Sequence, residues 1–164
     1  MTAASASVII VSRHRPDALA RCLTGVAQSL HPAFEIVVVA DSATIAGLDP
    51  RWQGRIKTAV CDRPNISDAR NIGIGLAAGG ILAFVDDDAV PEPTWLARLT
   101  VPFHDPTVMS AGGYVRGRNG IAFQWKGRAV DTMARSEALP DAQEPLAYVQ
   151  RPGRALKTEG TNMA

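Results

Sequence analysis

Three consecutive carboxylates, Asp86, Asp87 and Asp88, directly follow the apolar run ILAFV. Adjacent carboxylates repel one another, so we expect a positive or hydrogen-bonding group among them. Side chains two positions apart in a strand point the same way, so a chain that stays extended past Val85 would turn Asp86 and Asp88 together and Asp87 away. Carboxylate oxygens suit Mg²⁺ and Mn²⁺, which take few protein ligands and add phosphate oxygens. The pattern therefore predicts Asp86 and Asp88 as ligands of Mg²⁺ or Mn²⁺, with a solvated acidic turn as the alternative.

Two polar side chains, Arg70 and Asn71, precede this acidic strand in the segment NISDARNIGIGL. Apolar residues recur there along one stripe, which predicts a helix from Ser67 to Leu76. Backbone N–H groups and the helix dipole favour anions at a helix start, and an arginine there can bind a diphosphate through its planar fork. We therefore predict that Arg70 contacts a diphosphate, with a surface ion pair to Asp68 as the alternative.

Strands and helices alternate along the chain, and they must position these groups. Apolar β-branched runs predict the strands, and helical spacing of apolar residues predicts the helices. The predicted strands are 7–12, 34–41, 55–60, 81–86 and 108–115, and the predicted helical segments are 15–30, 67–76 and 93–101. This alternation indicates an α/β fold with a mainly parallel central sheet and helices on both faces. From Arg116 onward the periodicity fades, which predicts loops with little regular structure.

Polar side chains end three of the predicted strands: Ser12 the first, Asp41 the second and Asp86 the fourth. In open α/β sheets, ligands bind beyond the carboxyl ends of the strands, where the strand order reverses. We therefore expect Ser12, Asp41 and Asp86 to lie at one edge of the sheet and to contact a ligand there.

The composition argues against two classes of partner. Seventeen lysines and arginines against sixteen aspartates and glutamates leave a net charge of +1, so no general field attracts nucleic acid or an anionic membrane. The longest apolar runs span about five residues, whereas a membrane-spanning helix needs roughly 20, and the N-terminus lacks a signal-type start. We therefore expect one soluble domain, residues 1–164, in the cytoplasm, with no transmembrane segment.

Neither the cysteines nor the histidines form a metal-binding pattern. Cys22 and Cys61 belong to no CxxC pair, so we expect both to be buried small apolar residues. The three histidines, His14, His31 and His104, are too scattered along the chain to predict a zinc site.

Four segments of the sequence together resemble the family 2 glycosyltransferases of the GT-A fold. They are VSRHRPDALARCL, FEIVVVADS, NISDARNIGIGLAAGGILAFVDDDAVPEPTWL and the closing EGTNMA. The opening strand, the strand ending in aspartate, the ARNxG segment and the DxD strand end follow the family's order, and the resemblance covers nearly the whole chain. It implies a Rossmann-like GT-A fold that binds a nucleoside-diphosphate sugar, with a UDP-sugar as the first expectation.

The resemblance also implies site residues and a reaction. Ser12 would belong to the nucleotide-sugar site, Asp41 would bond the base, and Arg70 would lie near the nucleotide or diphosphate. Asp86 would face the ribose or the metal, and Asp88 would ligate Mg²⁺ or Mn²⁺, which stabilises the departing nucleoside diphosphate. The implied reaction is an inverting transfer of the sugar to an unknown sugar, lipid or protein acceptor, in the cytoplasm or at the inner face of the membrane.

The first departure from the family pattern lies after the opening strand. The family often has Pro-Thr-aromatic-Asn-Arg there, whereas residues 11–15 read VSRHR. Arg13 would then stack on the base, or the base differs from uracil. A sugar nucleotidyltransferase is an alternative on a similar scaffold, but it would need glycines in this loop to hold a triphosphate.

The second departure concerns the catalytic base. In relatives the chain after GTNMA continues toward an acidic motif that accepts the acceptor hydroxyl's proton, and nothing here matches it. We therefore assign no catalytic residue and expect residues 1–164 to lack the C-terminal acceptor and base part of a longer enzyme. Gly160, Thr161 and Asn162 would approach the acceptor side. A non-catalytic nucleotide-sugar-binding module is the alternative function.

Overall fold

The computed structural model describes residues 5–113 and 115, together with the backbone of four three-residue strands between 128 and 157. The chain divides into two compact units, Met1–Ala97 and Arg98–Ala164. The single domain expected over residues 1–164 stays a prediction.

The first unit is built on a four-stranded sheet. Its elements are β1 (Ala6–Ser12), α1 (Pro16–Ala27), β2 (Phe34–Ala40), α2 (Ser42–Ala46), a 3-10 turn (Pro50–Trp52), β3 (Lys57–Val60), α3 (Ile66–Leu76) and β4 (Ile81–Asp86). The strand order is β3-β2-β1-β4, and every neighbouring pair is parallel. The predicted α/β class and parallel sheet are confirmed, although β3 begins two residues later than the sequence predicted.

Two crossovers that run in opposite directions place helices on both faces of the sheet. The β1–α1–β2 connection steps to one side of β1, whereas β3–α3–β4 returns past β1 to its other side. Because crossovers between parallel strands are right-handed, α1 and α3 lie on opposite faces. The strand order therefore reverses between β1 and β4, which is the place where such sheets bind ligands.

Both faces of the sheet carry buried apolar side chains. On one face, Ala69 of α3 packs with Ile9, Val37 and Val39. Buried residues that point to the opposite face or lie on the apolar stripe of α1 are Val8, Ile10, Val38, Leu19, Cys22, Leu23 and Val26. A parallel sheet covered on both faces has no solvent-facing rows, which explains why β1 and β2 are apolar almost throughout.

Two glycines are required by close approaches between elements. A Cβ on Gly73 of α3 would lie 2.7 Å from Cγ2 of Ile9, and one on Gly79 would lie 2.5 Å from the carbonyl carbon of Ala6. Because glycine has no Cβ, the backbone at Gly73 can approach the Ile9 side chain, and the backbone at Gly79 can approach that of Ala6. Gly79 therefore allows the turn before β4 to pack against β1.

A polar cluster, here called the amino-edge network, fastens that turn to the starts of three strands. Ser7 Oγ donates to Glu35 Oε1 at 2.6 Å, and Lys57 Nζ lies 2.8 Å from Glu35 Oε2. The backbone N–H of Ala78 donates to Glu35 Oε1, and that of Gly79 donates to Ser7 Oγ at 2.8 Å. Partial burial would raise the pKa of Glu35, but the hydrogen bonds from Lys57, Ser7 and Ala78 outweigh it and lower the pKa to about 2.

The second unit contains short antiparallel pairs. Its described elements, with the helix that leads into it, are α4 (Trp95–Thr100), a 3-10 turn (Val101–His104), β5 (Ser110–Gly112), β6 (Arg128–Val130), β7 (Ser136–Ala138), β8 (Tyr148–Gln150) and β9 (Ala155–Lys157). β5 pairs with β8, and β6 pairs with β7 and β9. The prediction of little regular structure after Arg116 is wrong at these four later strands, because three residues are too few to show an alternating pattern. Within the described part of the chain, no helix is long and apolar enough to cross a membrane.

Candidate functional site

Parallel strands bring the polar strand ends to one side of the sheet, here called the carboxyl edge. It consists of Ser12 at the end of β1, Asp41 after β2, Asp62 after β3, and Asp86 with the two aspartates that follow β4. The structure thus brings together Ser12, Asp41 and Asp86, as their positions in the sequence indicated.

Residues 13–15, here called the basic loop, connect β1 to α1 and reach the ends of the other three strands. Arg13 Nη1 donates to the carbonyl oxygen of Asp62 at 2.7 Å. The backbone N–H of His14 donates to Asp41 Oδ2 at 2.9 Å. Arg15 extends in the remaining direction, toward β4. The basic loop therefore places two arginine side chains and one backbone N–H donor along the carboxyl edge.

The backbone of the basic loop turns sharply to make these contacts possible. His14 adopts φ 53°, a left-handed conformation that is uncommon outside glycine. Arg15 then occupies the residue before α1, and Pro16 fits the first helical turn because its missing N–H would have no partner there.

Arg15 and Ser12 together hold the carboxylate of Asp87. Ser12 Oγ donates to Asp87 Oδ2 at 2.7 Å, and Arg15 Nη1 lies 3.2 Å from Asp87 Oδ1. The same nitrogen lies 3.3 Å from Asp88 Oδ2. Asp87 is buried, whereas the side chain of Asp88 is 58% exposed. The positive group expected among the three carboxylates is therefore Arg15.

Asp86 and Asp88, which were expected to point together if the chain stayed extended past Val85, contact different arginines. Asp87 and Asp88 both contact Arg15, while Asp86 Oδ1 faces Arg70 Nη2 at 3.7 Å. The physical reason is that β4 ends at Asp86 and the chain then turns, with the Ala89 N–H donating to the Asp86 carbonyl. Asp87 is consequently the aspartate that points into the protein.

Arg70 lies at the carboxyl edge, as the sequence indicated. Its guanidinium lies 5.8 Å from the ring centroid of Phe84 as well as near Asp86. The alternative partner, Asp68, is instead 3.9 Å from Arg63. Asn65 caps the start of α3, because its side chain accepts from the backbone N–H groups of Ser67 and Asp68. Arg70 lies in the second turn of this helix.

Asp41 is fully engaged by its own neighbours. It caps α2, accepting from the Thr44 N–H at 3.0 Å and the Thr44 hydroxyl at 2.7 Å, in addition to the His14 N–H. The His14 ring Nδ1 lies 3.5 Å away. The Thr44 hydroxyl first, and then the His14 N–H, hold the pKa of this buried carboxyl well below its usual range. The alternative role of Asp41 as a helix cap is thus present.

Two polar contributors to the edge were not assigned from the sequence. Asp62 accepts from the backbone N–H of Ser42 at 2.8 Å through its side chain while its carbonyl holds Arg13. Arg15 was noted only as part of a departure from the family pattern. Two features of the sequence could have indicated them. Asp62 lies two residues after β3, and the basic residues 13–15 follow one strand while the acidic residues 86–88 lie at the end of another.

The carboxyl edge can be tested for its fit to a metal ion. Among the residues that the structure describes, no three His, Cys, Asp or Glu side chains lie close enough together to hold one. Asp88 and Asp86 nevertheless offer oxygen ligands to solvent, with side chains 58% and 39% exposed. Two accessible carboxylates fit a hard cation that takes its other ligands from substrate oxygens.

The cysteine nearest to this edge is not a ligand or a nucleophile. Cys22 is buried on α1, and its thiol lies 3.5 Å from the Asp86 carbonyl oxygen. Burial first, and then the negative charges of the three aspartates, raise the pKa of the Cys22 thiol to about 12. The prediction for Cys22 is confirmed, whereas Cys61 is only half-buried. Residues 160–162, predicted on the acceptor side, lie outside the described part of the chain.

Comparison with known proteins identifies relatives of this chain. The profile of the family described as glycosyl transferase family 2 matches residues 7–158. The succinoglycan biosynthesis protein ExoM of Rhizobium meliloti (strain 1021) is 34% identical over 91 residues, which are 51% of this chain and 29% of ExoM. The chain therefore spans less than a third of this curated relative.

Solved structures of similar fold include a mannosyltransferase and TarS. The mannosyltransferase PcManGT from Pyrobaculum calidifontis, in complex with GDP-Man and Mn²⁺, has a TM-score of 0.56 and 21% identity over 65% of this chain and 34% of its own. TarS 1-349 from S. aureus has a TM-score of 0.56 and 20% identity over 79% of this chain and 42% of its own. A TarS complex with UDP-GlcNAc reaches 0.50 at 22% identity over 65% of this chain and 33% of TarS. These likenesses confirm the expected GT-A fold.

Proposed function

The chain belongs to glycosyl transferase family 2, and we propose that its carboxyl edge binds a nucleoside-diphosphate sugar whose sugar is transferred to an acceptor hydroxyl. The observation that carries this proposal is the joint placement of the basic loop, Arg70 and the Asp86–Asp88 carboxylates at the point where the strand order reverses. A sheet edge with both signs of charge fits a ligand that has a diphosphate and ribose hydroxyls.

Asp88 and Asp86 are the residues that would hold Mg²⁺ or Mn²⁺ in this proposal. Bound there, the metal would supply Lewis-acid stabilisation of the departing nucleoside diphosphate. PcManGT was solved with Mn²⁺, which supports the choice of cation. Neither Asp87, which is buried against Ser12, nor Cys22, which stays a neutral thiol, belongs to this ligand set.

The remaining edge residues would orient the nucleotide. Arg70 would donate to ribose or diphosphate oxygens, and its contact with Asp86 keeps its guanidinium at the edge. Arg13 is exposed and anchored to the Asp62 carbonyl, so its flat guanidinium is available for stacking on a base. Asp41 would act by fixing the His14 backbone and hence the shape of the basic loop.

Transfer would proceed with inversion at the anomeric carbon. The acceptor oxygen forms a bond to that carbon as the bond to the diphosphate oxygen breaks, and the acceptor proton passes to a base that we leave unassigned. Gly160, Thr161 and Asn162 remain our proposal for the acceptor side. The acceptor is a sugar, lipid or protein hydroxyl.

Calorimetric titration of the purified chain with nucleotide sugars tests the proposal. UDP-GlcNAc and GDP-Man, which are present in the TarS and PcManGT complexes, belong in the panel with dTDP- and ADP-sugars, each with and without Mn²⁺. We expect at least one nucleoside-diphosphate sugar to bind, and to bind more tightly with Mn²⁺. Free sugars and nucleoside monophosphates serve as controls, because they lack the diphosphate. Absence of binding by every donor in saturating Mn²⁺ would contradict the proposal.

A further inference from the structure

Arg15 contacts two carboxylates through a single nitrogen. Its Nη1 lies 3.2 Å from Asp87 Oδ1 and 3.3 Å from Asp88 Oδ2. Both distances are longer than the 2.7–2.9 Å typical of a charge-assisted hydrogen bond, and one shared nitrogen is a weaker arrangement than a two-pronged fork. The Arg15 side chain is also 58% exposed, so solvent screens the attraction.

The two carboxylates differ in how much they depend on Arg15. Asp87 is buried and accepts a 2.7 Å hydrogen bond from the Ser12 hydroxyl, so it keeps a partner if Arg15 moves. Asp88 is as exposed as Arg15 itself, so water can replace the guanidinium there. Moving Arg15 away from Asp88 therefore costs little, and it leaves no buried charge without a hydrogen bond.

We propose that Arg15 is the internal counter-ion of Asp88, that a divalent cation binding Asp88 displaces it, and that the displaced guanidinium then binds the diphosphate. This inference rests on the proposed function, since it assumes a cation and a nucleoside diphosphate at the carboxyl edge. The guanidinium and the cation each carry positive charge and would compete for the same oxygens.

The attachment of Arg15 explains why it would remain useful after displacement. Its backbone carbonyl accepts from the Leu19 N–H in the first turn of α1, and Pro16 fixes the chain beside it. The side chain can therefore rotate without leaving the edge. A guanidinium offers a planar fork that matches phosphate oxygens, so the released group can neutralise part of the diphosphate charge.

The inference predicts effects of opposite sign on two ligands, which a purely structural ion pair would not give. Without Arg15, Mn²⁺ alone meets no competing cation at Asp88 and should bind roughly five- to tenfold more tightly. The nucleoside diphosphate loses its hydrogen bonds from the Arg15 guanidinium and should bind roughly tenfold more weakly in saturating Mn²⁺. A structural role would instead weaken both ligands or neither.

The first measurement is Mn²⁺ titration without nucleotide, followed by the electron paramagnetic resonance signal of free Mn²⁺. The proteins are the parent chain, Arg15→Ala, Arg15→Gln, Arg15→Lys and the control Arg51→Ala. Arg51 lies between α2 and the start of β3 and pairs with Asp49. Arg51→Ala therefore removes one positive charge from an ion pair, as Arg15→Ala does, but at a different place on the protein. We expect tighter Mn²⁺ binding for Arg15→Ala and Arg15→Gln, and parental affinity for Arg15→Lys and Arg51→Ala.

The second measurement is calorimetry with UDP and GDP in saturating Mn²⁺, using whichever the parent binds more tightly. Circular dichroism and thermal melts identify variants that fold, and Arg15→Gln replaces Arg15→Ala if the latter does not. Suppose that the parent chain binds both Mn²⁺ and the nucleoside diphosphate. If the Arg15 variants then had unchanged affinities, or affinities that shifted in the same direction for both ligands, this inference alone would be overturned. The inference would also be overturned if, without nucleotide, neither the parent chain nor the Arg15 variants bound Mn²⁺ detectably. Failure of the parent to bind nucleotide at all would overturn the proposed function and, with it, this inference.

Discussion

Ser12 and Asp87 face each other at the ends of β1 and β4, with the hydroxyl 2.7 Å from the carboxylate and both residues buried. The register explains the contact, because Val11 pairs with Asp86, so Ser12 and Asp87, the residues that follow this pair, are neighbours. This hydrogen bond joins the two strands at the point where the strand order reverses.

Replacing Asp87 should destabilise the protein. Asp87→Ala removes the acceptor of a buried hydrogen bond to a charged group, so we expect the free energy of unfolding to fall by about 2 kcal/mol. Urea denaturation at pH 7 measures the change. Asp88→Ala is the matched control: its side chain is exposed, and its ion pair should contribute less than about 1 kcal/mol. Equal losses for the two variants would contradict the assignment of Asp87 as the buried, structural carboxylate.

Replacing Asp88 should weaken metal-dependent nucleotide binding. Asp88→Ala removes one of two accessible carboxylates, and we expect the affinity for nucleoside diphosphate in Mn²⁺ to fall roughly tenfold or more. Calorimetry with and without Mn²⁺ measures the effect. Asp87→Asn should leave the dependence on Mn²⁺ nearly intact, because its side chain points toward Ser12. Equal affinities of Asp88→Ala and the parent in saturating Mn²⁺ would rule out a metal role for Asp88.

Replacing Glu35 should remove a stability contribution that depends on pH. The pKa of Glu35 is lowered from 4.5 to about 2 in the folded protein, so its ionised form stabilises the fold above about pH 4.5, and that stabilisation is lost as the pH falls toward 2. We expect Glu35→Gln to lower the free energy of unfolding by about 1–3 kcal/mol at pH 7. Urea denaturation at pH 7, 5, 4 and 3 should show the gap between parent and variant closing. A gap that stayed constant would contradict the contribution of the ionised carboxylate.

Two glycines of α3 should respond oppositely to the same substitution. A Cβ on Gly73 would press on Ile9 at 2.7 Å, so Gly73→Ala should destabilise the protein by about 1–2 kcal/mol. A Cβ on Gly75 meets nothing within 4 Å, so Gly75→Ala should stabilise it by about 0.5–1 kcal/mol through helix propensity. Thermal melts of both variants test the pair. Similar shifts for the two would mean that α3 is not packed against β1 at Gly73.

Much of the first unit could be predicted from the sequence because its patterns are local. The apolar runs of β1, β2 and β4 and the periodic stripe of α1 each follow from burial on a sheet covered on both faces. The positions of Ser12, Asp41 and Asp86 at one edge follow from the parallel arrangement alone. Arg70 could be placed near the acidic strand because it lies near the start of the helix that precedes that strand.

The orientation of the acidic triplet could not be predicted, because it depends on contacts distant in sequence. Whether Asp87 points inward is decided by where β4 stops pairing with β1, and by a hydroxyl that is 75 positions away in the chain. The position of Arg15 depends on the left-handed conformation of His14, and a histidine at this position does not predict that conformation. Asp62 was missed because β3 is short and weakly patterned.

The amino-edge network lies at the opposite end of the strands from the proposed ligand site, and this separation bears on how the protein could change over evolution. Glu35, Ser7 and Lys57 hold the starts of β1, β2 and β3 without contributing any side chain to the carboxyl edge. An exposed edge residue such as Arg13 can therefore be exchanged while this fastening stays intact. A lineage could vary its choice of nucleotide on one end of the sheet while selection for a folded chain acts on the other.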